Sequence, residues 1–241
     1  MHYHLAKVKD TECEAEEKAI RSGRTGLQSV AKKLKEKNMA AHYPTGVSMQ
    51  TNYKGKLLVA TPVLNGNVVF SQSVVYIYDD KHNAGPGQQG PRQICGVILN
   101  KPSQFKISSL GSLKDIPFDP SLEMKFVHKG GPVSDTSVVL LHTNEWVSTN
   151  TQRANNDLAI TSDILMIEKL ATGNEPKGWR MFAGMSIWTP EQLDNEINNQ
   201  NAWLICDPSE SIDKSVFDFD GEEQWLKALE LCSQQMLSNY I

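Results

Sequence analysis

Residues 79–102 read DDKHNAGPGQQGPRQICGVILNKP. Gly85, Gly87 and Gly90 satisfy the spacing G-x-G-x-x-G letter for letter. A dinucleotide fingerprint needs a strand before the glycines, a helix opening at their end, and an acidic residue about 20 positions on. A strand-like run, SVVYIYDD, does precede them. Pro91-Arg92 and then QICGVILN follow, a nearly all-apolar run that reads as another strand. No helix N-terminus is present to receive a pyrophosphate. The glycines therefore read as a strand-to-strand connection, with Pro86 and Pro91 as turn formers.

Working outward, the chain from Gly55 onward is a series of short β-rich runs. KLLVATPVL and SVVYIYDD flank the turn-rich NGNVVFSQ, and MKFVHKGGPV and SVVLLHT form a further pair turned at Gly130-Gly131-Pro132. The later part alternates. LAI leads into a helix over TSDILMIEKLATG, with Thr161 or Ser162 as cap, Asp163 in the first turn and Gly173 as stop. WRMFAGMSIW is a strand, and TPEQLDNEINNQ a helix capped by Thr189 with Pro190 at its first position. AWLICD is a short strand. DGEEQWLKALELCSQQM closes the chain as a helix with a capping box from Asp220 and Glu223 and a buried stripe of Trp225, Leu229, Cys232 and Met236. Strands first and alternation later argue an α+β fold with a mixed sheet.

Residues 1–52 differ in texture and read as an extension to a domain spanning 53–241. TGLQSVAKKLKEKN forms the best helix there, with Leu27, Val30, Ala31 and Leu34 in one apolar stripe and Lys32, Lys33, Lys35 and Lys37 mostly off it. A helix of about 12 residues is marginal alone, so the stripe needs a surface: its own domain, a second copy or another partner. AAHYPTGVSMQTNY reads as a linker.

The 241 residues carry a formal net charge of −4, which counts against a chain that mainly grips nucleic acid. Cys13, Cys95, Cys206 and Cys232 form no C-x-x-C pair and read as reduced thiols of a cytoplasmic protein. No apolar run approaches the roughly 20 residues of a membrane span, and the N-terminus lacks a signal-peptide core.

Asn100, Lys101 and Pro102 end one strand and Gly130, Gly131 and Pro132 make a turn. Strand ends and glycine turns let ligands approach backbone. The two turns, with Thr61 and His142, are candidate ligand contacts for an anion or a peptide carbonyl. The plainer reading gives Asn and Gly to turn geometry and Lys101 to solvent. His128 and His142 lack the further ligands of a metal site, so no metal is expected. No cofactor is expected either, and no catalytic residue is assigned: nucleophile-elbow, S-x-x-K and Walker patterns are missing or out of context. Cys95 and Cys206 lie in apolar strands, where a thiol is a small inert hydrophobe.

The domain resembles the AlgH/YqgE family of bacterial proteins. The resemblance rests on LLVATPVLNGNVVFSQSVVYIYDD, GVILNKP, GGPVSDTSVVLLHT, AITSDILMIEKLATGNEP, FAGMSIWTPEQLDNEINNQNAWLICDP and VFDFDGEEQWLKAL, in that order. It implies a barrel-like mixed β core with helices packed outside, and a transcriptional-regulator association without a defined mechanism. Two features depart from the family: the insertion NAGPGQQGPRQ and the N-terminal extension, which would suit a phage-encoded or divergent copy. The resulting expectation is a non-enzymatic regulatory or interaction protein. The alternatives are a ligand-binding protein or enzyme built on the two turns, a DNA-associated regulator, and an assembly component.

Overall fold

One strand, β9 (Trp179–Trp188), joins the two halves of the sheet. A computed structural model describes residues 51–82, 90–110, 116–208 and 216–238. The helix expected within residues 25–38, with Leu27, Val30, Leu34, Lys32, Lys33 and Lys35, lies outside the described residues, as do Gly85 and Gly87. Tyr53, read as the last residue of a linker, is instead in the core: its amide donates to Asp80 at 2.8 Å and its hydroxyl to Asp194 at 2.6 Å.

The remaining strands are β1 (Leu57–Ala60), β2 (Val74–His82), β3 (Arg92–Ile98), β4 (Pro102–Lys106), β5 (Phe126–Lys129), β6 (Val133–Thr143), β7 (Gln152–Arg153), β8 (Leu158–Thr161) and β10 (Trp203–Cys206). Their order is β10-β1-β2-β3-β9-β6-β8-β7, with β5 adding to β9 and β4 to β5. Every described pairing is antiparallel except β5 with β9. The first half of β9 pairs with β6 and β5, and Ser186–Trp188 pair with β3. Between them lies Gly184 at φ +74°, a conformation other residues adopt only with strain.

The expected barrel is not what forms. The sheet is open, because β10 and β7 end the order and pair with no further strand among the described residues. A closed small barrel fills its lumen with strand side chains alone. Here α3 (Gly221–Ser238) supplies Trp225, Ala228, Leu229 and Cys232 to a central core that also takes Leu57, Tyr76, Leu141 and Phe182 from both halves of the sheet. Two outer cores complete the packing. Helix α2 (Pro190–Asn198) covers Leu58, Ile77, Ile98 and Trp188 through Leu193, and α1 (Ile164–Ala171) covers Leu140, Val127 and Met181 through Met166, Ile167 and Leu170.

β2 and β3 form one antiparallel hairpin, with register Lys81↔Gln93 and His82↔Arg92. The glycine run thus connects neighbouring antiparallel strands. Three local readings shift. KLLVATPVL is a strand only to Ala60, where Thr61 caps a 3-10 turn over Pro62–Leu64. The cap of α1 is Asp163, accepting from the Leu165 amide at 3.1 Å, in place of Thr161 or Ser162. The Asp220 carboxylate turns to His128 and to the Gly221 amide.

Candidate functional site

β3 is buried along most of its length and ends at Leu99-Asn100, so the chain leaves the core with a polar residue still inside it; Asn100 is 1% exposed. Its oxygen accepts from the Val74 amide at 2.9 Å, and its nitrogen donates to the carbonyls of Gln72 at 2.8 Å and Gly221 at 2.7 Å. Lys101 donates through Nζ to the Ser71 carbonyl at 2.6 Å, and partial burial lowers its pKa. Pro102 is exposed and pairs with His128 at the head of β4.

The structure sets the second turn directly beside this one. The Lys129 amide donates to the Lys101 carbonyl at 2.8 Å, and the Ile98 amide to the Gly130 carbonyl at 2.9 Å. Gly130 and Gly131 are glycine because β9 passes against them. A Cβ on Gly130 would overlap the Gly184 carbonyl, and one on Gly131 the Met185 carbonyl and the Ser186 hydroxyl. The close approach these glycines permit is taken up by the chain's own backbone. Pro132 follows, exposed.

Thr61 and His142 lie elsewhere. Thr61 donates through its hydroxyl to the Asn201 carbonyl at 2.6 Å. His142 is fully buried on the α1 side of β6, its Nδ1 2.8 Å from the Thr143 carbonyl and its ring 6.3 Å from that of Trp146. Its Nε2 has no hydrogen-bonding partner among the described residues. Burial holds its pKa below the ordinary histidine value, against the opposing pull of the Thr143 carbonyl and Glu145.

Around the paired turns the fold assembles a polar cluster larger than the sequence suggested. Arg180, 7% exposed, donates to the carbonyls of Leu99, Phe217 and Phe219 and to Oε1 of Gln224, at 2.8–3.0 Å. Desolvation lowers its pKa, offset by the charges of Asp220 and Asp218. His128 Nε2 lies 2.9 Å from Asp220 Oδ2. Burial alone would raise the Asp220 carboxyl, but the His128 contact and the nearby Arg180 charge outweigh it and hold it low. One signal did point here: Arg180 is a lone charge in the apolar run WRMFAGMSIW, and charges are rarely buried without partners. The cluster ties β3, β9 and the start of α3 together. Among the described residues no three His, Cys, Asp or Glu side chains converge as metal ligands, and no helix is long and apolar enough to cross a membrane.

A second feature is the β4–β5 hairpin, at the edge of the sheet. It exposes Phe105 (60%), Met124 (70%) and Phe126 (37%), large apolar side chains beside Lys106, Lys125 and Lys129. Lys106 Nζ lies 3.8 Å from the Met124 sulfur and Lys125 Nζ 5.6 Å from the centre of the Trp179 ring.

Comparison with known proteins places these features in a wider set. Residues 57–237 match the family described as AlgH-like. A UPF0301 protein of Francisella tularensis subsp. novicida (strain U112) is 31% identical over 188 residues, covering 76% of this chain and 90% of that protein. A UPF0301 protein of F. tularensis subsp. holarctica (strain FTNF002-00 / FTA) is 30% identical over 193 residues, with the same coverage. The solution structure of the AlgH protein from Pseudomonas aeruginosa has the same fold, with a TM-score of 0.59 and 24% identity over 78% of this chain and 92% of that one. A crystal structure of a Corynebacterium diphtheriae protein aligns with a TM-score of 0.53 and 22% identity over 76% of this chain and 89% of that one.

Proposed function

This chain belongs to the AlgH-like family, and on that footing we propose a cytoplasmic, non-enzymatic protein that acts by binding another protein, with a regulatory outcome. The observation that carries the reading is the β4–β5 hairpin, where Phe105, Met124 and Phe126 stand exposed among three lysines. Exposed aromatic and thioether groups favour contact with an apolar surface. The lysines form no described salt bridge, so charge complementarity selects a protein partner with carboxylates beside its apolar anchors. The paired turns support the same reading from the other side. Asn100, Lys101 and Arg180, the side chains best equipped for chemistry there, are already hydrogen-bonded within the fold.

The test is a photo-crosslinking residue placed at position 105 in the full chain, followed by reconstitution with the purified crosslinked partner. Binding that weakens as salt rises and drops by about tenfold in a Phe105→Ser, Lys125→Glu variant supports the proposal. Unchanged affinity in that variant overturns it. Turnover of a metabolite by the purified protein, lost in Lys101→Gln, also overturns it and favours an enzyme built on the two turns.

A further inference from the structure

Where the sheet turns from one half to the other, a cleft of about 170 Å³ opens beside the Gly184 joint. Its walls include Tyr78 from β2, Val139 from β6, Gln152 from β7, Ile160 and Thr161 from β8, and Met185 from β9. Tyr78 is the extra residue of a β-bulge, since Ile77 pairs with Gly96 and Asp79 with Cys95. Bulges recur where a strand must re-aim a side chain at a site.

The polar groups of this cleft are under-used. Gln152 Nε2 is sealed from solvent and has no hydrogen-bonding partner among the described residues. A buried amide donor without an acceptor is costly. The Tyr78 hydroxyl donates at 3.2 Å to the sulfur of Met185, a weak acceptor, which leaves its own oxygen lone pairs able to accept. No side chain lining the cleft is charged, so a carboxylate or an ammonium entering it would meet no counter-ion. Val139, Ile160 and Met185 offer apolar contact. The volume is below the roughly 300–1,000 Å³ of drug-sized pockets and close to the about 150 Å³ that holds a benzene ring.

We propose that this cleft is a binding site for a small uncharged ring compound bearing an amide, whose carbonyl accepts from Gln152 and whose N–H donates to the Tyr78 oxygen. This site is separate from the paired turns and the β4–β5 hairpin, and it stands whether or not the hairpin binds a protein. The amide supplies the acceptor Gln152 lacks, and the ring fills the apolar wall.

The experiment titrates the ¹⁵N-labelled full chain with 2-piperidone, and in parallel with acetate, following amide shifts. The expected result is saturating shifts centred on the Gln152 side-chain amide, Tyr78, Thr161 and Met185, with no saturation by acetate. Gln152→Glu keeps the shape but sets an acceptor against the carbonyl, and weakens 2-piperidone binding by about tenfold. Gln152→Leu, which removes the donor without adding charge, gives a loss of the same order. No saturation by 2-piperidone, equal saturation by acetate, or unchanged affinity in both variants overturns the proposal. So does a crystal structure of the soaked protein with the ring outside the cleft and a water on Gln152.

Discussion

The side-chain nitrogen of Asn100 donates to the backbone carbonyl of Gly221, 2.7 Å away across 121 residues of chain. The same side chain holds the first amide of β2 and the carbonyl of Gln72, so one residue pins three segments. Replacing it with Ala leaves a buried donor and two carbonyls to find new partners. Asn100→Ala is expected to lose about 3 kcal/mol of stability, measured as a lower urea midpoint at unchanged slope. A loss below about 1 kcal/mol would show that water replaces the side chain.

Gly130 packs against Gly184 so closely that a methyl group on the former meets the carbonyl of the latter. The obstruction is backbone, so no rotamer relieves it. Gly130→Ala is expected to cost about 3 kcal/mol or to prevent soluble expression. Gly66, where an added Cβ meets nothing within 4 Å, is the control for space; its left-handed φ of +92° limits the expected cost of Gly66→Ala to about 1 kcal/mol.

Arg92 grips Asp80 with two hydrogen bonds of 2.6 and 2.7 Å, and the carboxylate is fully buried. Arg92→Ala strands that charge with only the Tyr53 amide for company. The expected loss is about 3 kcal/mol by chemical denaturation. Replacing the glycine connection between His82 and Arg92 by a short turn, with the pair kept, is expected to leave the thermal midpoint within a few degrees, because loop closure depends only weakly on length.

His142 has its pKa depressed by burial, so the folded state binds fewer protons there than the unfolded state. Its stabilising contribution is complete above the unfolded value of about 6.5 and is lost as pH falls below it. Wild-type protein is therefore expected to lose stability from pH 7 to pH 5, and His142→Phe to lose less over the same range. Parallel pH profiles for the two proteins would refute this.

Cys206 and Cys232 belong to the same core, on β10 and α3. The neighbouring Cys206 thiol and burial both raise the pKa of Cys232. A thiol that resists ionisation reacts slowly. Iodoacetamide is expected to leave both unmodified in the folded protein and to label both after unfolding, as read by peptide mass spectrometry.

Strand and helix positions were legible where the pattern is local. TPEQLDNEINNQ is capped by Thr189, which accepts from the Gln192 amide as its spacing implied. Alternation in WRMFAGMSIW marked a strand, but not that β9 serves both halves of the sheet. β4 was missed because PSQFK opens on Pro and carries little apolar pattern. Asn100 and Lys101 stood out as polar residues at a strand end, whereas their partners Gln72, Ser71 and Gly221 are remote in sequence and left no local mark.

The sequence by itself determined the α+β class, the antiparallel connection through the glycine run and the family, because each rests on short-range periodicity, turn chemistry or ordered motifs. Only the tertiary structure decided that the sheet stays open, that the two turns meet, and that Tyr78, Gln152 and Met185 share a cleft. Those outcomes depend on which distant surfaces bury each other. The helix that fills the central core arrives from the far end of the chain, and no local pattern records where it lands.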